Sequence, residues 1–263
     1  MKRYFKLYIQ FFKQYIKILI EYRADFILGL VGFLLVQFVG VIFIRLIFNS
    51  IPALHGWSFY QVLFIYGLAQ IPRGIDHVFT DNLWMLAGQI IIQGNFDRYL
   101  IKPINPLFQL IAEKFQPDGF GEIVIGTILF VTAAVNLELS FTPMKIILLL
   151  IAIIAATFIY TSIKLAVASF AFWVKFAQSH LFMVYQLSDF TKYPIGIYPK
   201  GIRFLLTFIV PFTFTAYFPG AYFLGKEGIV SGIFITVLVS IIASCLSYLV
   251  WTTGLKKYES SGN

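Results

Sequence analysis

The sequence predicts an all-α membrane protein. It has six transmembrane helices, an amphipathic interfacial helix at the N-terminus, a helical connector between the second and third spans, and a re-entrant helical hairpin before the last span. Three observations carry that reading. The 263 residues are 59% hydrophobic, 19% aromatic and only 12% charged, about half the charged share of an ordinary soluble domain, so the chain has too little polar surface to cover itself in water. Its apolar residues fall in runs of roughly 20, the helical length that crosses a bilayer core. Short stretches carrying proline, glycine and charge separate the runs.

Residues 2–23 place Tyr4, Phe5, Tyr8, Phe11, Phe12, Tyr15, Ile16 and Leu19 around Lys2, Arg3, Lys6, Lys13 and Lys17. At 3.6 residues per turn this makes one broad apolar side and one basic side, the pattern of a helix lying in the headgroup plane. No clean apolar stretch ends at a small-residue cleavage site, so the segment is read as retained and not as a cleaved signal. The first span covers about residues 26–48 and is uncharged until Arg45, which is close enough to the far end to snorkel. A loop with Pro52 and Gly56 but no Lys or Arg leads to the second span at about residue 59. That span is less clean, because Arg73, Asp76 and His77 come before its apolar character ends near Leu86. Either the helix leaves the bilayer near Pro72, which puts the three at the membrane interface and is the simpler account, or its later turns face protein and water.

Residues 88–120 are the longest polar stretch, with Asp97, Arg98, Lys102, Glu113, Lys114 and Asp118 punctuated by Pro103, Pro106 and Pro117. They read as a connector with short helices. The third span fits about residues 121–137. The fourth, about 144–174, is longer than a membrane needs, and Lys164 and Lys175 suggest that its end projects into the cytoplasm. Within residues 176–224, one span fits about 178–197. A second apolar piece, inside 199–224, is broken by Pro211 and Pro219. Backbone freed by proline at membrane depth needs other protein or water, which favours a re-entrant hairpin there over another full span. The last span runs from about residue 229 to 252 and closes on Lys256 and Lys257.

Six spans put both termini on one side. Assigning that side to the cytoplasm gives it most of the 20 Lys and Arg, in line with the positive-inside rule. The net charge of +8 then meets anionic lipid headgroups. The basic residues are spread along the chain and do not line a groove with interleaved aromatics, so nucleic acid is excluded as a partner and membrane lipid is retained.

Few motifs carry chemistry. Cys245 is the single cysteine and lies in an apolar run, so neither an intramolecular disulfide nor a CxxC site is available. His55, His77 and His180 lack metal-ligand spacing, and no metal or catalytic residue is assigned. Gly220 to Lys226 repeats the GxxxxGK spacing of a phosphate-binding loop, but Glu227 occupies the position of the Ser or Thr that holds magnesium, and no strand precedes it. The chain therefore has no nucleotide site of its own and is not an enzyme by itself. Gly228 with Gly232, and Ala243 with Ser247, offer small faces for close helix packing. Arg73, Asp76 and His77 form an intramembrane polar cluster fit for ion or proton transfer if they face the bundle interior. The most informative segment is 94–107. A short amphipathic helix stopped by Pro103 and Pro106 presents Phe96, Tyr99 and Leu100 beside Asp97 and Arg98, a rigid knob for a soluble partner.

The stretch Phe96-Asp-Arg-Tyr-Leu-Ile-Lys-Pro-Ile-Asn-Pro-Leu107 resembles the signature loop of a bacterial subfamily of the ABC-2-type permeases, the membrane subunits of ATP-binding-cassette exporters. Similar landmarks are Tyr22-Arg-Ala-Asp-Phe26 entering the first span, Tyr217-Phe-Pro-Gly-Ala221 ahead of Leu224-Gly-Lys226, and Gly254-Leu-Lys-Lys-Tyr-Glu-Ser-Ser-Gly262. The resemblance implies that residues 1–263 are one permease domain. It also implies an N-terminal surface helix (2–23), a coupling helix (within 88–120) that docks on an ATPase subunit, and a re-entrant pair of short helices (within 199–224) acting as an outer gate. It implies a pair of permeases, identical or paralogous, over two ATPase subunits that bind the ATP and magnesium, in the bacterial inner membrane with both termini cytoplasmic. Phe96, Asp97, Arg98, Tyr99, Lys102 and Asn105 are then the expected ATPase-coupling residues. A Phe-rich pathway at the permease seam suits hydrophobic or amphipathic cargo, cationic compounds included. The rival expectation is a secondary ion-coupled transporter or channel using Arg73, Asp76 and His77.

Overall fold

The computed structural model describes residues 2–21 and 23–259. Among them there is no strand, only an isolated bridge between Leu54 and Trp57. In chain order the α-helices are α1 (Lys2–Glu21), α2 (Arg23–Ser50), α3 (Phe59–Thr80), α4 (Asn82–Met85), α5 (Asp97–Leu100), α6 (Pro106–Glu113) and α7 (Gly119–Asn136). They are followed by α8 (Pro143–Ser169), α9 (Ala171–Val174), α10 (Gln178–Gln186), α11 (Lys200–Phe204), α12 (Tyr217–Phe223) and α13 (Ile235–Lys257). Tyr22 and residues 260–262, which carry part of the family resemblance, lie outside the described residues.

Local chemistry accounts for the helix starts. Ser58 caps α3 and exchanges bonds with Gln61, a reciprocal box that satisfies two orphan donors. Asn105 caps α6 and Thr142 caps α8, each followed by a proline at the first helical position, where no N–H is needed. Gly225 takes a left-handed conformation (φ 70°) just past α12, the backbone position that glycine adopts without penalty.

Four of the described helical stretches are long and apolar enough to cross a membrane: Ile27–Ser50, Gly119–Asn136, Pro143–Val174 and Val230–Lys257. The expected second span, α3, has 22 residues but is enclosed by the rest of the bundle along most of its length. The expected fifth span is not one helix. The nine residues of α10 reach only about 14 Å at 1.5 Å per residue, then tighten into a 3₁₀ turn over Leu187–Lys192 and stop at Tyr193 before Pro194. The residue before a proline is pushed out of the helical region, and Tyr193 is extended at φ −126°, ψ 155°.

The proline-broken piece is a helix-break-helix pair. After α11 a π-helical turn over Leu205–Ile209 ends at Val210, a 3₁₀ turn covers Phe212–Thr215, and α12 follows. The hydroxyl of buried Thr213 donates to the Leu206 carbonyl at 2.7 Å and that of Thr215 to the Phe212 carbonyl at 2.7 Å. Side chains thus satisfy acceptors that the break leaves open.

The bundle is built on α3. Gly67 and Gly74 face Gly126 and Gly119 of α7 so closely that a Cβ on Gly67 would lie 2.4 Å from the Phe130 nitrogen, and one on Gly74 2.7 Å from the Gly119 carbonyl oxygen. Small residues let two backbones touch where the lipid gives no hydrophobic drive. This glycine seam is spaced by seven on both helices; the small faces expected in the last span pack elsewhere. Gly232 lies against Tyr222, and buried Ser247 belongs to a serine stripe in which Ser244 meets Ser162 of α8 at 3.0 Å. The first span, α2, is mostly exposed apolar surface; it is joined to α3 through buried Gln37, which accepts bonds from Tyr66 and Gln70 at 2.6 Å each.

Candidate functional site

Two regions hold the residues singled out by the sequence. The first is the connector end. Phe96 and Tyr99, expected on the presented face of a knob, are instead fully buried. Phe96 packs edge-on against Phe172 at 5.1 Å and Tyr258 at 5.0 Å, near Trp251 at 6.1 Å. The reason is geometric: α5 is a single turn, too short to stand alone, so its two rings fill the space between α9 and the end of α13. Burial pushes the Tyr99 phenol up to about 12, so it stays neutral at physiological pH. The Arg98 side chain donates to the Tyr99 hydroxyl at 2.9 Å and pairs with Glu113 of α6 at 3.0 Å. Asp97 accepts a bond from the Tyr258 hydroxyl at 2.9 Å. Asn105 is the exposed cap of α6, accepting from the Phe108 N–H at 3.1 Å. Leu100, Ile101 and Lys102 are exposed.

Sequence reasoning missed Phe115. It is buried and is ringed by Tyr8 (5.3 Å), Phe12 (5.1 Å) and Tyr15 (6.0 Å) of α1 and Phe79 (5.9 Å) of α3. Tyr4 meets Phe108 of α6 at 4.8 Å. The apolar side of α1 therefore grips the connector, and α1, α5, α6 and the end of α13 form one joint. Lys226 at the opposite end reaches the Gly56 carbonyl at 2.8 Å and lies 4.2 Å from the Trp57 ring centroid.

The second region is inside the bundle. Arg73, Asp76 and His77 stand on the last two turns of α3, where their partners come from α7, α8, α10 and the turn that follows α10. Asp76 is fully buried and pairs with Lys164 of α8 at 2.7 Å, itself fully buried. Asp76 also accepts from Tyr185 at 2.8 Å, Thr161 at 2.8 Å and Thr80 at 2.6 Å. Lys164, expected at a projecting helix end, is thus fully enclosed by the protein. An uncompensated charge at such depth is prohibitively costly, so the acid on one helix and the base on another settle against each other. A Lys and an Asp within apolar stretches far apart in the chain were the available signal.

Arg73 pairs with Asp189 at 2.6 Å and faces Glu122 of α7 at 3.9 Å, while Lys192 pairs with Asp189 at 2.8 Å. His77 reaches Glu122 with Nδ1 at 3.2 Å and Asp81 with Nε2 at 3.8 Å. A cleft of about 280 Å³ opens on this side, lined by Arg73, His77, Asp81, Glu122, Trp84 and Phe182 together with Tyr185 and Gln186. His55 and His180 are exposed and lie outside the network.

Long apolar helices around a buried charged network define a multi-pass membrane protein. The chain belongs to the ABC-2 transporter family: residues 34–262 match the family described as "ABC-2 family transporter protein". It is an ABC-2-type permease, a class that normally works with an ATP-binding cassette ATPase. No curated protein and no solved structure matches the chain.

Proposed function

We propose that the chain is the permease subunit of an ABC exporter in the bacterial inner membrane. It moves hydrophobic or amphipathic cargo outward with ATP hydrolysed, on magnesium, by a separate subunit. A second permease, identical or paralogous, completes the pathway. Six crossings are assigned, counting α3 and the α10 segment with the four long helices, and α11 to α12 are assigned as the re-entrant outer gate.

The observation that carries this reading is the aromatic joint. A connector whose buried rings fix it to α9 and α13, and whose neighbour α6 is held by α1, passes a push at its exposed face to three parts of the chain at once. Coupling needs a contact that differs between two states, and a rigid joint transmits such a contact. In this reading Leu100, Ile101, Lys102 and Arg98 meet the ATPase, Asn105 caps the helix beside them, and Phe96, Tyr99 and Asp97 position the segment from within. The connector end and both termini are placed in the cytoplasm.

The test is charge reversal in the assembled transporter. Arg98→Glu and Lys102→Glu are expected to lower cargo-stimulated ATP hydrolysis by about tenfold, the scale of losing one charge-assisted contact worth about 1.5 kcal/mol, with membrane insertion retained. Unchanged stimulation in both variants overturns the assignment. An ion-coupled transporter built on Arg73, Asp76 and His77 is disfavoured because both carboxylate oxygens of Asp76 are engaged by fixed partners; transport by the chain alone in vesicles would reinstate it.

A further inference from the structure

We infer that the cleft between α3, α4, α7 and α10 binds an organic monocation, with the Glu122 carboxylate as its counter-charge and the Trp84 and Phe182 rings as its wall. The inference rests on reading the chain as a permease and names the chemistry of a molecule that the permease handles.

The first ground is charge balance. In the ion-paired network among the described residues, Asp76, Asp81, Glu122 and Asp189 face only Arg73, Lys164 and Lys192 as permanent cations. Lys164 is held by Asp76 at 2.7 Å, and Asp189 draws both Arg73 and Lys192 to within 2.8 Å. With a neutral imidazole the network is short by one positive charge, and the shortfall falls where His77 stands between Glu122 and Asp81, on the cleft.

The second ground is independent of the count. Glu122 lines the cleft, its side chain is 6% exposed, and its Oε2 is buried without a hydrogen-bond partner. A buried carboxylate oxygen left without a hydrogen bond is costly, and a further cation beside it reduces the cost. Arg73 fills that role only in part: its Nε, likewise without a hydrogen bond, stands 3.9 Å from Oε2, an ion-pair separation beyond hydrogen-bond reach, while Asp189 holds its Nη1 at 2.6 Å and its guanidinium lies 5.4 Å from the Tyr185 centroid.

The wall suits the same ligand. Tyr185 already carries Arg73 and Lys164 over its ring. Trp84, edge-on to Tyr185 at 5.6 Å, and Phe182, which is exposed, leave ring surface open toward the cleft, and aromatic faces attract ammonium groups. About 280 Å³ lies at the lower edge of small-molecule pockets, roughly 300–1,000 Å³. That volume fits the cationic head of an amphipathic molecule and not its whole body. A proton on His77 supplies the missing charge when the ligand is absent. Proton and ligand therefore compete, with Glu122 and Asp81 favouring either cation and Lys164 and Arg73 opposing both.

Calorimetry on the full chain in nanodiscs, without ATPase, tests this with benzyltrimethylammonium, its neutral carbon isostere neopentylbenzene, and benzenesulfonate. Saturable binding of the cation alone is expected, strengthening as pH rises from 5.5 to 7.5. Glu122→Gln should weaken it at least tenfold and Trp84→Leu several-fold, and His77→Gln should bind with a flat pH profile. Equal binding of the neutral isostere, preference for the sulfonate, or wild-type affinity in both Glu122→Gln and Trp84→Leu overturns the inference. Should Glu122→Gln not fold, Trp84→Leu and the pH profile decide. Because no ATPase is present, failure here leaves the coupling assignment standing, and failure of the charge-reversal test leaves this site standing.

Discussion

The middle of the bundle and its connector end are both buried contact regions, yet they are held by opposite means. In the first, Asp76 and Lys164 are a charge pair with no exposure on either side, so losing Lys164 strands Asp76, and losing Asp76 leaves Lys164 only Asp81 at 3.4 Å. At the connector end, rings of α1, α5, α9 and α13 meet edge to face around Phe96 and Phe115, and each ring carries a separable share. The first is a pin, stiff because any displacement exposes charge. The second is a joint that yields in parts, which suits an element that must move.

Breaking the pin gives the largest expected effect. Asp76→Asn leaves buried Lys164 with only the more distant Asp81, at 3.4 Å, and is expected to cost about 3–5 kcal/mol, read as a lowered thermal midpoint of the purified protein. Replacing both members together, Asp76→Leu with Lys164→Met, should recover most of that loss, because an apolar pair of similar volume strands no charge. If the double variant is as damaged as the single, Asp76 is doing something other than balancing Lys164.

Loosening the joint comes next. Phe115→Ala removes the ring shared by Tyr8, Phe12, Tyr15 and Phe79 and is expected to cost about 3 kcal/mol. The loss should be local: amide exchange should accelerate over α1 and α6 while α3 and α7 keep their protection. Uniform acceleration would mean that centre and connector unfold as one. The smallest effect sharpens the contrast. Tyr258→Phe removes one bond to Asp97 at 2.9 Å and is expected to cost about 1 kcal/mol, leaving Phe96 seated, as near-unchanged exchange over α5 would report.

Much of the fold was legible because helical period and apolar run length are local properties. The spans assigned near residues 26–48, 121–137, 144–174 and 229–252 correspond to α2, α7, α8 with α9, and the last helical stretch; Pro211 marked the break between α11 and α12, whereas Pro219 sits inside the first turn of α12 and breaks nothing. The shape of the expected fifth span was not legible: Gln178 to Ile197 reads as one apolar run, while its backbone is α10 followed by a tighter turn that stops before Pro194. The candidate site was half legible. Asp97, Arg98, Lys102 and Asn105 stand at or near the surface of the connector, but Phe96 and Tyr99 turn inward, since an aromatic ring beside a charge reads alike whether it faces a partner or its own chain. Phe115 carried no pattern of its own.

Composition and periodicity alone determined that this chain is a helical membrane protein and where its long apolar segments lie, and the motif at residues 96–107 carried the resemblance to a coupling loop, because those depend on residues near one another in sequence. Only the tertiary structure decided that Arg73, Asp76 and His77 meet charged partners from α7, α8 and the turn after α10. It also decided that Lys164 is a partner and not a tail, and that α1 holds the connector through Phe115. Each of these depends on which distant helix stands opposite, and a charge or a ring acquires its meaning from what faces it.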